Sequence, residues 1–144
     1  MLFLHGKLSP YKTRIVKSEQ GFDFLGVHFQ LCPTRSKKAK LKKFCALWPS
    51  DRSTKRIRQR IREVIGRRYS LSLEDLIEEL TPVIRGWNNY HKKTRPIIKR
   101  LIKLNAFVRE RIRIFLRRKY SDHSRGTRRV QGNLIVRLGL YQFG

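Results

Sequence analysis

Arginine is the residue with usable chemistry that recurs most in this chain. Arg56, Arg58, Arg60, Arg62, Arg67 and Arg68 crowd one stretch, and Lys99, Arg100, Lys103, Arg109, Arg111, Arg113, Arg117, Arg118 and Lys119 crowd another. A guanidinium is a planar fork of donors that fits phosphate oxygens and stacks on exposed bases, so arginine in excess of lysine points to nucleic acid, and to RNA in particular. Between the two stretches lies Arg85-Gly86-Trp87-Asn88-Asn89-Tyr90, followed by His91. Asn88 and Asn89 carry both donors and acceptors, suited to tying helices together or to contacting RNA edges. Gly86 removes a side chain beside Trp87 and would let a helix or an RNA backbone come close. From these sets, Arg56, Arg60, Arg67, Arg85, Asn89, His91, Lys99, Lys103, Arg113 and Arg117 are expected to contact RNA. Trp87 is expected in the core, with Tyr90 three residues on at its rim.

No residues assemble into a catalytic set. There is no Asp-Asp pair anywhere, so the paired carboxylates that hold two metal ions for nucleotide transfer are missing. The serines have no neighbouring His and Asp arrangement. His91 beside Asn88 and Asn89 lacks the second His of a His-Asn-His nuclease. Cys32 and Cys45 form no Cys-x-x-Cys pair, and a zinc site built from them with His28 would want a fourth ligand that the spacing does not offer, so both read as ordinary thiols. Neither metal nor cofactor is expected, and the chain is not expected to be an enzyme.

The 144 residues hold 35 Lys and Arg against 10 Asp and Glu, a formal charge of +25. Such a chain repels itself unless its cationic faces meet a polyanion. An anionic membrane is the other polyanion to consider, but no apolar run approaches the ~20 residues of a spanning helix. Met1-Leu2-Phe3-Leu4 is too short for a secretory segment and has no basic stretch before it. A soluble protein is expected, cytoplasmic and associated with a ribonucleoprotein.

The elements that must position these side chains read as α+β. β-favouring residues at 13–17 and at 22–31, where Phe22, Phe24, Val27, Phe29 and Leu31 recur, suggest a hairpin turning at Glu19-Gln20-Gly21, with Gly26 marking a bulge or a close approach. Residues 33–50 form a basic connector in which Phe44 to Trp48 resumes a strand-like pattern. Three helices follow. The first starts at Ser50 or Asp51 and buries Ile57, Ile61, Val64 and Ile65. The second is capped by Ser72, with Asp75 in a variant capping box, and carries a stripe of Leu73, Leu76, Ile77, Leu80, Ile84 and Trp87; Pro82 should kink or restart it. The third starts near Thr94 with Pro96 in its first turn, and buries Ile97, Leu101, Leu104, Val108, Ile112 and Phe115. Residues 121–133 read as a flexible basic tail, and 134–141 as a strand or a docking segment that could pair with Phe44 to Trp48.

Four segments, in order, carry a resemblance: Lys7-Leu8-Ser9-Pro10-Tyr11-Lys12-Thr13-Arg14-Ile15-Val16, Gly21-Phe22-Asp23-Phe24-Leu25-Gly26, Ser72-Leu73-Glu74-Asp75-Leu76-Ile77 and Arg85-Gly86-Trp87-Asn88-Asn89-Tyr90. Together they resemble the passage from the last palm segments into the thumb-like maturase domain of group II intron reverse transcriptase/maturases. The resemblance implies a remnant of the palm end at 1–31, the basic connector at 32–49, a maturase-specific helical bundle at 50–120 and a basic tail with an apolar end at 121–144. It implies that Gly21, Phe22, Phe24, Leu25 and Gly26 form a primer-grip-like hairpin. Without catalytic carboxylates beside it, Phe22, Phe24 and Phe29 are expected simply to cover the helices. The implied partner is structured group II intron RNA, whose folding and splicing the protein would assist while the RNA performs the chemistry. The alternative is the thumb and primer grip of a split or truncated reverse transcriptase, inactive without an upstream fragment.

Overall fold

The computed structural model describes residues 15–33, 42–94, 98–121 and 132–144. Three antiparallel strands, β1 (Phe22–Phe24), β2 (Val27–Pro33) and β3 (Lys43–Pro49), form one sheet in that order. Helices α1 (Asp51–Ile65), α2 (Leu73–Tyr90), α3 (Ile98–Lys119) and the short α4 (Gly132–Arg137) follow, so the chain is α+β as its patterning implies.

The hairpin does not turn where the sequence suggests. Residues 15–17 are not a strand, residues 13 and 14 lie outside the described residues, and 18–20 form a turn that leads into β1. The tight turn is Leu25-Gly26, between the paired Phe24 and Val27, with both residues at positive φ, 47° and 78°. That combination is the twist a two-residue hairpin loop requires, and it makes Gly26 a turn residue and not a bulge. The three-residue step from Phe24 to Val27, in an otherwise alternating series, is this turn. Gly21, at φ +77°, is needed for another reason: a Cβ there would lie 2.4 Å from Nε2 of His28 and 2.8 Å from the Phe29 carbonyl oxygen.

Register then sorts the sheet into faces. Phe22, Phe24, Val27, Phe29, Leu31, Leu47 and Pro49 share one face, with Phe22 stacked on Phe29 at 5.3 Å. Phe22 and Phe24 remain 46% and 59% exposed, so they do not cover the helices as expected. β3 pairs with β2 throughout, and the 134–141 segment is not its partner.

The helical boundaries follow local chemistry. Ser50 caps α1, its Oγ accepting the Ser53 N–H at 3.1 Å, and Ser72 caps α2, its Oγ accepting the Asp75 N–H at 3.0 Å. α2 runs unbroken through Pro82, contrary to the expected restart. The Thr94 N–H and hydroxyl both bond the His91 carbonyl, and the expected first turn of the third helix, with Pro96 and Ile97, lies outside the described residues. The bundle core is Ile57, Ile61 and Ile65 from α1, Leu76, Ile77, Leu80 and Ile84 from α2, and Leu104, Val108, Ile112, Phe115 and Leu116 from α3. Each fully buried side chain of this kind contributes about 1.5–3 kcal/mol.

Cross-links fix the directions. Ser53 meets Trp87 and Arg68 meets Glu79, so α1 and α2 are antiparallel; Asp51 meets Arg100 and Tyr69 meets Phe115, so α1 and α3 run the same way. The C-terminal segment docks on this bundle as helix and extended chain, burying Ile135, Leu140 and Phe143. Asn105 clamps the Phe143 backbone in both directions, at 3.0 and 2.9 Å, and Asn88 donates to the Gln142 carbonyl at 2.9 Å. The basic centre of the connector and residues 122–131 of the tail lie outside the described residues.

Candidate nucleic-acid interface

The second half of α2 holds the motif around Trp87, and its side chains divide between scaffold and surface. Trp87 is half-buried, less deeply than expected, because its ring works at a junction: Nε1–H donates to Ser53 Oγ on α1 at 3.1 Å, while Phe143 packs edge-on at 5.2 Å. His91 lies 4.4 Å from the Trp87 ring, and its Nε2 sits 2.9 Å from the same Ser53 Oγ. Indole can only donate, so the arrangement that uses every proton has Trp87 donating to Ser53 and the Ser53 hydroxyl donating to His91. His91 Nδ1 then has no partner. At 3% exposure His91 is part of the scaffold and not of the outer surface, which corrects its place among the expected RNA contacts. Burial also pushes its imidazole below the usual histidine range, toward the neutral ring. The one exposed ring of the motif is Tyr90, whose hydroxyl donates to the Leu25 carbonyl at 2.5 Å and so holds the hairpin tip on α2.

Arg85 and Asn89 are exposed, and Arg85 lies over the Tyr141 ring at 5.3 Å. Both border a cavity of about 550 Å³ along α2 with Pro82, Gly86, Leu138 and Gly139; nothing lies within 4 Å of the space a Gly86 Cβ would take.

Tertiary contacts withdraw several cations from the surface. Arg68 forks onto Glu79 at 3.2 and 2.6 Å and also donates to the Val64 carbonyl. Arg100 bonds Asp51 and the Pro49 carbonyl, joining α3 to the β3–α1 corner, and Lys119 donates to the Leu71 carbonyl. Arg113 is held by Glu110 at 2.9 and 2.5 Å, which lowers the Glu110 carboxyl below its usual range through that hydrogen bond, and Arg60 sits 3.5 Å from Glu63. Arg56, Arg67, Lys99, Lys103 and Arg117 are exposed.

Arg56 and Arg60 share one stripe of α1, Arg67 lies beyond its C-cap, and Lys99, Lys103 and Arg117 share one stripe of α3. The structure does not bring the two stripes together. The side of α1 that faces α3 is instead the one carrying Arg58 and Arg62, two residues and thus ~200° around the helix from Arg56 and Arg60. Their guanidinium carbons lie 5.6 and 5.2 Å from the centroid of Phe107 on α3. The signal that could have singled them out is an aromatic residue, Phe107, one helical turn before Arg111.

The hairpin set is contiguous. Gly21, Phe22, Phe24, Leu25 and Gly26 occupy β1 and its two turns, with Leu25 70% exposed. Cys32 and Cys45 are free thiols, and the described residues include no group of three His, Cys, Asp or Glu placed to hold a metal ion. Among those residues, no helix is long and apolar enough to cross a membrane.

No curated protein matches the chain. Residues 54–132, more than half of the sequence and all of the helical bundle apart from the first turn of α1 and all but the first residue of α4, match the group II intron, maturase-specific domain. The three-helix scaffold, the Arg85–Tyr90 motif at its junction and this match together place the chain in the group II intron maturase-specific domain family.

Proposed function

We propose that the chain binds group II intron RNA and helps it reach its folded, splicing-competent form. The observation that carries this reading is the distribution of charge: after the internal ion pairs are made, α1, the turn after it and α3 still present Arg56, Arg67, Lys99, Lys103 and Arg117 to solvent on a scaffold of the maturase-specific type. Such faces lower the repulsion between intron phosphates and stabilise close approach of RNA segments. The transesterifications belong to the RNA, and the protein acts as a cofactor of splicing within a ribonucleoprotein. Titration with single-stranded and structured intron RNA across a salt series tests the binding. If ~5 phosphates are neutralised on single strands, log affinity falls with a slope of about −3.5 against log salt. A flat titration, or no acceleration of intron splicing at limiting Mg²⁺, refutes the proposal.

A second reading is favoured by the open apolar face of the sheet, where Phe22 and Phe24 stand 46% and 59% exposed. In it the chain is the thumb and primer-grip part of a reverse transcriptase whose upstream polypeptide covers that face and supplies the metal-binding carboxylates. Primer extension that appears only on adding such a polypeptide would favour it over the first.

A further inference from the structure

We propose that the seam between α1 and α3 carries a site for a phosphate oxyanion, formed by Arg58, Arg62 and Arg111 around Phe107. Arg58 and Arg62 are one turn apart on α1 and both meet Phe107 across the seam, and Arg111 stands one turn after Phe107 on the same side of α3. The Phe107 ring holds both α1 guanidinium groups against its face, which fixes their planes and lowers the entropy lost on binding.

What marks the cluster as a site is its missing counter-charge. Other arginines on or beside these helices have found acceptors: Arg68, just beyond α1, has Glu79, Arg100 has Asp51, and Arg113 has Glu110 on its own helix. Arg58, Arg62 and Arg111 have no hydrogen bond and no carboxylate among the described residues. The Nε–H groups of Arg58 and Arg111 are buried without any acceptor. The two acids adjoining the cluster in sequence are engaged elsewhere: Glu63 accepts from Gln59 and Arg60, and Glu110 from Arg113, with Arg111 acting on the Glu110 carboxyl only as a lesser charge. Buried donors on cations are costly to leave unpaired, and a tetrahedral dianion or a phosphodiester, with several oxygens presented at once, satisfies forked donors from two helices together. A carboxylate offers two oxygens in one plane and fits a single fork.

The inference rests on the RNA-binding reading for the source of the phosphate, a backbone phosphodiester, but the anion chemistry is independent of it. The test uses the full chain, the variants Arg58→Met/Arg111→Met and Arg58→Lys/Arg111→Lys, and a charge-matched control, Arg52→Met/Arg137→Met. Thermal melts at constant ionic strength replace chloride with inorganic phosphate, and RNA titrations follow across a salt series. Phosphate is expected to raise the melting temperature of the unaltered chain and the control but not of the Met variant. RNA affinity of the Met variant is expected to fall about tenfold or more below the control, with the salt slope smaller by about 0.7 for each single-strand phosphate released. The Lys variant, which keeps charge but loses the fork, is expected between the two. Loss of RNA affinity no greater in the Met variant than in the control overturns the site and leaves the RNA reading standing. Phosphate stabilisation that the Met variant lacks, in a chain that does not bind RNA, keeps the site with free phosphate as its ligand and overturns the RNA reading. A Met variant that melts well below the control in chloride, while the Lys variant does not, shows that charge holds the seam together, and overturns the proposal.

Discussion

Ser53→Ala tests the junction that joins α1 to the end of α2 around Trp87. The hydroxyl accepts from Trp87 Nε1 at 3.1 Å and lies 2.9 Å from His91 Nε2, and a Cβ added at Gly26 of the hairpin turn would meet the Ser53 Cβ at 3.6 Å. Removing the hydroxyl forfeits a net hydrogen bond worth about 1 kcal/mol and leaves a 3%-exposed imidazole with neither ring nitrogen partnered, a further cost of about 1–3 kcal/mol. Alanine returns up to about 0.5 kcal/mol of helix propensity. Because Trp87 is only half-buried and its donor can still reach solvent, the lower part of the range applies, and the expected loss is about 2 kcal/mol. Urea unfolding at pH 7.5 measures it, with unchanged m-value as the sign that the native fold persists. His91→Phe in the same background should recover about 1 kcal/mol relative to the sum of the single effects, since an apolar ring needs no partner. A Ser53→Ala chain within about 0.5 kcal/mol of the unaltered one would refute the junction.

The buried, neutral His91 makes stability depend on pH in a definite direction. Its folded pKa lies below the unfolded value near 6.5, so its contribution is complete above that value and is lost as pH falls from about 6.5 through the folded pKa. Unfolding midpoints measured from pH 7.5 to 5 should therefore fall, and His91→Phe should flatten the curve over that window while leaving the later loss at more acid pH, where Glu79 and Glu110, held below the usual carboxylate range by hydrogen bonds from Arg68 and Arg113, protonate. Leu25 occupies the left-handed region with an exposed side chain, so Leu25→Gly should be neutral or stabilise the hairpin by up to about 1 kcal/mol in thermal melts. Destabilisation by that substitution would show that the Leu25 side chain makes contacts worth more than the backbone strain it carries.

Much of the helical bundle is legible from the sequence because its signals are local. Ser50 and Ser72 satisfy the first-turn N–H groups of their own helices, and Ile57, Ile61 and Ile65 recur on one face by helical period alone. The family is legible as well, because the Arg85–Tyr90 motif and its lead-in are contiguous stretches. The hairpin's turn was written in the same way, in the break of alternation between Phe24 and Val27, but Gly21 offers an equally plausible turn residue; pairing with β2 and the Tyr90 bond to Leu25 decide between them. Contacts distant in sequence decided the rest. β3 pairs with β2 and not with the C-terminal segment, which Asn105 and Asn88 capture by its backbone after a short helix. His91 reads as a surface cation until α1 brings Ser53 against it and excludes water. Net charge fixes the class of partner, since 35 cations cannot be neutralised by 10 acids in any fold. Which cations remain free depends on where those acids land: Glu79 on α2 reaches Arg68 just beyond α1, whereas the guanidinium groups of Arg58 and Arg62 meet the Phe107 ring of α3, a matter of helix rotation and crossing that no local pattern encodes.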